Sequence, residues 1–301
     1  MAGPVPKRLS QLTLLSNCRT EKMMKTQRVA LVTGCGKQDG IGAAIARRLA
    51  ADGLIVVVTD VEVTGVRDSH EPAKSGASDW RGVESLIGEI EAAGGRGSFV
   101  TGDISDQADV ARMVTHAVDR HGSLDVLVNN AGAPFSLGHG DIEAIDVEEF
   151  DRVIAINVRG TFLMAQAAAR LMRARKWGRI VNVASVAGRV GSKMNSAYAA
   201  SKAAVIGLAQ TWALDLGGHG ITSNAVLPGF IFTTRTLSGI SKKLGGAPVD
   251  AATVAKSAPN VPAGRAGSPE DVAAVVAFLA SEDAGYTNGQ SMIVDGGSLR
   301  L

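Results

Sequence analysis

The stretch Val29-Ala30-Leu31-Val32-Thr33-Gly34-Cys35-Gly36-Lys37-Gln38-Asp39-Gly40-Ile41-Gly42 decides the architecture. Its first four residues are apolar and two are β-branched, which reads as a short buried strand stopping at Thr33-Gly34. From Gly40 to Asp52 the apolar positions Ile41, Ala44, Ile45, Ala46 and Leu49 predict a helix. A strand that runs through glycines into a helix leaves bare backbone at the helix N-terminus, where a phosphate is favoured. An ordinary glycine turn has the same local look, so the pattern needs its surroundings.

Those surroundings repeat the alternation. A second buried strand, Leu54 to Val58, ends at Thr59-Asp60. Further strands are predicted at Gly97 to Thr101, Leu124 to Val128, Arg179 to Val183, Ser223 to Leu227 and Ser291 to Val294. Helices are predicted between them: Trp80 to Ala93, Ser105-Asp106 to Arg120, one long helix Val147 to Arg175, Asn195 to Leu216, and Ser268-Pro269 to Ala280. Residues 61–79 read as a long polar loop, and 233–264 as a Gly/Ser/Thr/Pro-rich stretch with only weak helical pattern. Strands apolar on both faces, alternating with helices, imply a seven-stranded parallel α/β sheet covered on both sides, in one domain over 28–301.

Composition narrows the function classes. The 301 residues are 46% hydrophobic, which suffices for one large core. With 36 glycines and 4% aromatics, the chain suits close helix-on-sheet packing. A net charge of +2 makes no electrostatic case for nucleic acid. The longest strongly apolar runs, Leu54 to Val58 and Val272 to Ala280, are too short to span a membrane. Cys18 and Cys35 lack metal-ligand spacing, so no metal site is expected and a reducing, cytoplasmic setting fits. Residues 1–27 are basic, with Lys7, Arg8, Arg19, Lys22 and Lys25 against Glu21 alone. They are expected to be a disordered extension or to precede a later start at Met23 or Met24; an organelle-targeting peptide is the alternative.

Several strand ends carry chemistry. Asp60 stands 18 residues after Gly42, where a carboxylate accepts hydrogen bonds from an adenosine ribose and repels a 2′-phosphate. Val61 adds no cation for such a phosphate, so NAD is favoured over NADP, with Lys37 partly offsetting the repulsion. Asp60 could equally be a strand-end turn residue. Asp103-Ile104 offers an acceptor and an apolar face for an adenine, and Asn129-Asn130-Ala131-Gly132 offers amides that tie strands beside small residues that leave room. Tyr198 and Lys202 are four apart on a helix and share a face. An ammonium near a phenol favours the phenolate, which makes the pair a proton-transfer candidate. Ser185 can donate to a substrate oxygen as charge develops, or merely cap a turn. Asn157 is a poor helix former inside the predicted long helix, so its amide must be satisfied at a distortion or through water.

This order of residues resembles the short-chain dehydrogenases/reductases across roughly residues 28–298. The carriers are Thr33-Gly34…Gly40-Ile41-Gly42, Asp60, Asn129 to Gly132, Asn157, Ser185, Tyr198-x-x-x-Lys202 and Pro228-Gly-Phe-Ile-Phe-Thr233. Asn288-Gly289-Gln290 and Val294 to Gly297 look like the family's C-terminal signature. The resemblance implies a doubly wound Rossmann-type fold and a hydride transfer between a nicotinamide and a secondary alcohol or ketone. By it, Tyr198 is the acid/base, Lys202 lowers its pKa and holds the nicotinamide ribose, Ser185 polarises the substrate oxygen, and Asn157 supports a proton relay. Cofactor contacts are implied for Gly34, Gly36, Gly40, Ile41, Gly42, Asp60, Val61, Asp103, Ile104, Asn130, Ala131, Gly132, Pro228, Gly229, Ile231 and Thr233, besides Tyr198 and Lys202. It also suggests a homotetramer built partly through two long helices.

Two features depart from the family pattern. Five residues, Cys35 to Asp39, separate the first two motif glycines where three are usual, and the loop at 61–79 is long. A register starting at Gly36 restores the usual spacing but loses the threonine, so Thr33-Gly34 is the expected strand end, followed by a bulged loop. The alternatives are an NADPH-dependent 3-oxoacyl-thioester reductase, against which the acidic Asp141 to Asp151 segment counts, and a dinucleotide-binding regulator without turnover. A largely apolar substrate pocket is expected from 133–145, 187–197 and the lid-like 233–264, with Phe135, Leu137, Met194, Phe230, Phe232 and Leu237.

Overall fold

The computed structural model describes residues 27–66, 79–243 and 261–300. The predicted N-terminal extension, most of the 61–79 loop and the middle of the 233–264 stretch therefore lie outside the described residues. Seven parallel strands form one sheet: β1 (Val29–Thr33), β2 (Ile55–Asp60), β3 (Arg96–Thr101), β4 (Val126–Asn129), β5 (Gly178–Val183), β6 (Ile221–Pro228) and β7 (Ser291–Val294). Their order is β3-β2-β1-β4-β5-β6-β7, so the winding reverses between β1 and β4. In open α/β sheets the crevice at that reversal, beyond the carboxyl ends of the strands, is where ligands bind.

Every residue of β1 is buried, because both faces are covered. Ala30, Val32, Val56 and Val58 point to one side and Val29, Leu31, Ile55 and Val57 to the other, as a two-residue period demands. The first side packs on α1 (Ile41–Ala51), α2 (Val83–Ala92) and a late helix, Pro269–Ala280. The second packs on α3 (Gln107–His121) and on the helical elements between β4 and β6. In order these elements are α4 (Val147–Ile154), a π-helical turn (Ala155–Gly160), α5 (Thr161–Arg175), the short α6 (Ala187–Val190) and α7 (Ser196–Gly217), of which the π turn, α5 and α7 supply that packing. Among the described residues two further helices follow, α8 (Thr234–Lys243) and the late helix, α9 (Pro269–Ala280).

Local chemistry sets these boundaries. Asp106 caps α3 by accepting from Ala108 and Asp109 N–H, and Gly122 ends it in the left-handed region at φ 83°. Ser268 and Asp271 form a reciprocal capping box on α9, with Pro269 in its first turn. Two expectations are corrected. The predicted continuous helix Val147 to Arg175 is broken by the π turn around Asn157. The stretch 233–264, read as only weakly helical, begins with a ten-residue helix, α8.

Candidate active site

A cleft of roughly 520 Å³ opens at the β1/β4 reversal. That falls within the about 300–1,000 Å³ usual for small-molecule sites. Its floor is the turn from β1 into α1. Thr33 ends the strand, Gly34 takes φ +75°, and its N–H and that of Cys35 both donate to Thr59 O. A Cβ on Gly42 would lie 2.3 Å from Gly34 O and 2.6 Å from Asn130 Nδ2, so these two glycines form the close approach between helix and strand. The register that starts at Thr33-Gly34 is the one the chain adopts. Helix α1 begins at Gly40 with no side-chain cap and no acid in its first turn. Its first N–H groups are thus left for an anion in the cleft, which Gly40 and Ile41 line.

The bulged loop and the segment after β2 hold each other. Asp60 accepts from Gly36 N–H at 2.8 Å through Oδ2 and from Val61 N–H at 2.9 Å through Oδ1. Trp80 Nε1–H donates to Gly36 O at 3.0 Å. A Cβ on Gly36 would sit 2.3 Å from Gly65 N. Hence Gly36 faces protein, and like the buried Gly42 it is not among the residues that line the cleft. Asp60 does line the cleft; burial pushes its carboxyl up, opposed by the two N–H groups and by Lys37. Val61, Asp103, Ile104, Asn130, Ala131, Gly132, Pro228, Gly229, Ile231 and Thr233 line it as well. Asn130 Nδ2 donates to Thr33 O and Gly34 O at 2.8 and 3.0 Å, and Asn129 Nδ2 to Asn182 Oδ1 at 2.9 Å, so both amides tie strands together.

Ser185, Tyr198 and Lys202 line the same cleft. Ser185 follows β5, and its Oγ accepts from Ala187 N–H at 3.2 Å, which leaves its O–H able to donate. Tyr198 and Lys202 project from the start of α7, with Lys202 Nζ 5.6 Å from the phenol ring centre. Lys202 is buried and donates to Val183 O at 2.8 Å. Burial, then the positive Arg235, brings its pKa down to about 7. Asn157 stands behind the wall. Its Oδ1 accepts from Ala133 N–H at 2.8 Å and its Nδ2 donates to Ser201 Oγ at 2.9 Å, while Ser201 donates to Tyr198 O at 2.7 Å. Its amide is therefore satisfied by protein at a helix distortion, one of the two outcomes the sequence left open.

Family comparison places this geometry. The family profile described as Enoyl-(Acyl carrier protein) reductase matches residues 34–298. The chain belongs to the short-chain dehydrogenase/reductase family. A short-chain dehydrogenase/reductase of Armillaria gallica is 39% identical over 90% of this chain and 95% of its own. The mouse (3R)-3-hydroxyacyl-CoA dehydrogenase is 41% identical over 89% and 95%. Among solved structures, levodione reductase superposes with a TM-score of 0.79 at 34% identity, covering 90% of this chain and 97% of its own. As a short-chain dehydrogenase/reductase the protein is an NAD(P)-dependent oxidoreductase acting on a secondary alcohol or ketone.

Sequence reasoning missed three contributors to this enzyme's site. Asp39 in the bulge accepts from Thr234 N–H at 2.6 Å and Thr234 O–H at 2.7 Å, joining the glycine loop to the first turn of α8. Arg235 reaches from that same turn into the cleft. Ser201 bridges Asn157 to the α7 backbone. None belongs to a spaced motif; pairing Asp39 with a helix 195 residues away requires the fold. Of the six residues expected in an apolar pocket, Phe135 and Phe230 line the cleft, joined by Ile240. Leu137 packs with Ala133, Val153 and Ala197, while Met194 and Phe232 are exposed. Among the described residues, no cluster of three or more His, Cys, Asp or Glu could hold a metal, and no helix is long and apolar enough to cross a membrane.

Proposed function

We propose that this enzyme interconverts a secondary alcohol and a ketone with Tyr198 as acid/base, and that it prefers NAD. The observation that carries the reading is that Ser185, Tyr198 and Lys202 line the same cleft as the uncapped start of α1. The backbone at Gly34, Gly40 and Ile41 would receive the pyrophosphate, Asp60 the adenosine ribose, and Asp103 with Ile104 the adenine. Gly132, whose Cβ would stand 3.8 Å from Lys202 Nζ, leaves room for the nicotinamide ribose. When bound, the nicotinamide supplies the hydride chemistry.

The chain supplies the rest. Ser185 O–H donates to the substrate oxygen and orients it. Tyr198 takes the hydroxyl proton in oxidation and returns it in reduction. Lys202, when protonated, attracts the phenolate from 5.6 Å off the ring centre. Asn157 and Ser201 hold the Tyr198 backbone against the β4 loop, and serve the relay by keeping that geometry.

NAD is preferred because the Asp60 carboxyl lines the cleft at the proposed ribose position and Val61 offers no counter-charge. Outward apolar side chains, Phe162 on α5 and Leu214 on α7, support a homotetramer. A cytoplasmic setting is supported by the two cysteines without pairing or metal spacing. The second reading, reduction of a 3-oxoacyl thioester, draws support from relatives named for that chemistry, including a Synechocystis 3-oxoacyl-[acyl-carrier-protein] reductase at 36% identity.

The test is Tyr198→Phe against a panel of alcohols and ketones, followed by cofactor absorbance with NAD(H) and NADP(H) in parallel. Turnover should fall by about 100- to 10,000-fold while cofactor binding persists. An unchanged rate would refute the mechanism, and a preference for NADP(H) would refute the reading of Asp60.

A further inference from the structure

Arg235 is a cation at the reacting end of the cleft with no acidic partner there among the described residues. Its guanidinium donates to Ala133 O, and its Cζ stands 5.9 Å from the Tyr198 ring centre. One of its nitrogens would be 3.9 Å from a Cβ at Gly132, beside Lys202 Nζ at 3.8 Å. Tyr198 is thus flanked by two cationic side chains, Lys202 at 5.6 Å and Arg235 at 5.9 Å. The acids that line the cleft, Asp39, Asp60 and Asp103, stand on the bulged loop and at the ends of β2 and β3. None of the described residues forms an ion pair with Arg235.

We propose that Arg235 recognises a carboxylate on the substrate, so that the enzyme acts on oxo acids and hydroxy acids whose carboxylate lies within a few bonds of the reacting carbon. The proposal rests on the assignment of Tyr198 as the acid/base and names the substrate class of that same site. Guanidinium presents five donors in a planar fork, and the bond to Ala133 O uses one of them. That bond also fixes the fork toward the cleft, so the rest can meet a carboxylate with little further ordering. The side chain is exposed to the cleft, hence reachable. A neutral ketone would leave the two cations beside Tyr198 uncompensated, and Arg235 already lowers the affinity of Lys202 for its proton. A carboxylate met by the remaining donors of Arg235 offsets that charge. The phenyl rings of Phe135 and Phe230 then bound the remainder of the substrate.

The test compares each acid with its methyl ester: 3-oxobutanoate against methyl 3-oxobutanoate, and 2-oxobutanoate against its ester, with NADH and NADPH. In the wild-type enzyme the acid should exceed its ester at least tenfold in kcat/KM. Arg235→Met should bring that ratio toward one, mainly through KM for the acid, and Arg235→Lys should recover part of it. A wild-type ratio near one, or a ratio preserved in Arg235→Met, would overturn the proposal; Tyr198-dependent turnover of the esters in that case leaves the broader mechanism standing. If the variant instead loses NADH affinity tenfold with the ratio intact, Arg235 serves the cofactor phosphates and the proposal also fails. A binding arm covers a panel that contains no good substrate. Butanoate, but not butanamide, should raise the melting temperature of the wild-type NADH complex, and the difference should vanish in Arg235→Met. No difference in the wild type refutes the proposal, whereas failure of NADH itself to bind refutes the assignment on which it rests.

Discussion

Replacing Gly42 by Ala should damage the cofactor floor more than any other single-methyl change in α1. The added Cβ would lie 2.3 Å from Gly34 O, 2.9 Å from Gly34 C and 2.6 Å from Asn130 Nδ2. Two of these are backbone atoms, and Gly34 O is also the acceptor for Asn130. Relief therefore requires the helix to withdraw or Asn130 to give up its bonds to Thr33 O and Gly34 O. Overpacking of this kind costs about 1–3 kcal/mol, and each forfeited hydrogen bond adds about 1 kcal/mol. The sum is a loss of roughly 2–5 kcal/mol, set against a gain of about 1 kcal/mol from helix propensity. Gly207 is the internal control. It sits in α7 with no neighbouring atom within 4 Å of where a Cβ would stand, so Gly207→Ala keeps only the propensity gain and should be stabilising. Urea denaturation of both variants, read with NADH titration, separates the two effects. Gly42→Ala should unfold at lower urea and bind NADH weakly. Equal stability and equal NADH affinity in Gly42→Ala would refute the claim that close approach, rather than turn conformation, demands this glycine.

Two other variants test neighbouring claims. In Asp39→Ala the first turn of α8 loses both acceptor contacts, so amide exchange over residues 234–243 should quicken about tenfold, as expected for losing a cap worth ~1–2 kcal/mol. Unchanged exchange would show that the bulged loop does not hold the lid. His116 and His121 both meet Ser98 Oγ, at 2.9 and 2.8 Å, and burial followed by nearby cations holds both rings below the ordinary histidine value. The unfolded chain therefore takes up these protons first, so the pair's contribution is whole above about pH 6.5 and is lost as pH falls below it. Replacing both by Gln should flatten the fall in melting temperature between about pH 7 and pH 5; an equally steep fall would count against this assignment.

Legibility differed by the kind of signal. The strands and their parallel pairing were readable because a sheet covered on both faces demands uninterrupted apolar runs, as in Val29 to Val32 and Ile55 to Val58. The break at Asn157 was half readable. A polar residue at a buried helical position announces that something must satisfy it, and the partners, Ala133 N–H and Ser201 Oγ, lie 24 and 44 residues away. The helix α8 was not readable from its Thr- and Ser-rich composition, since its start is capped by Asp39 from another part of the chain.

By itself, the order of residues determined the α/β class, the strand end at Thr33-Gly34, and the spacing that singles out Ser185, Tyr198 and Lys202 as candidates. These depend on short-range periodicity and fixed spacing, which a chain carries in one dimension. Tertiary structure decided which way each of them faces. It turned Gly36 and Gly42 inward against protein, bound Asp60 to the bulged loop, and brought Arg235 and Asp39 to the reacting cleft. Those outcomes rest on contacts between segments far apart in the chain, whose geometry exists only once the sheet has set the distance between them.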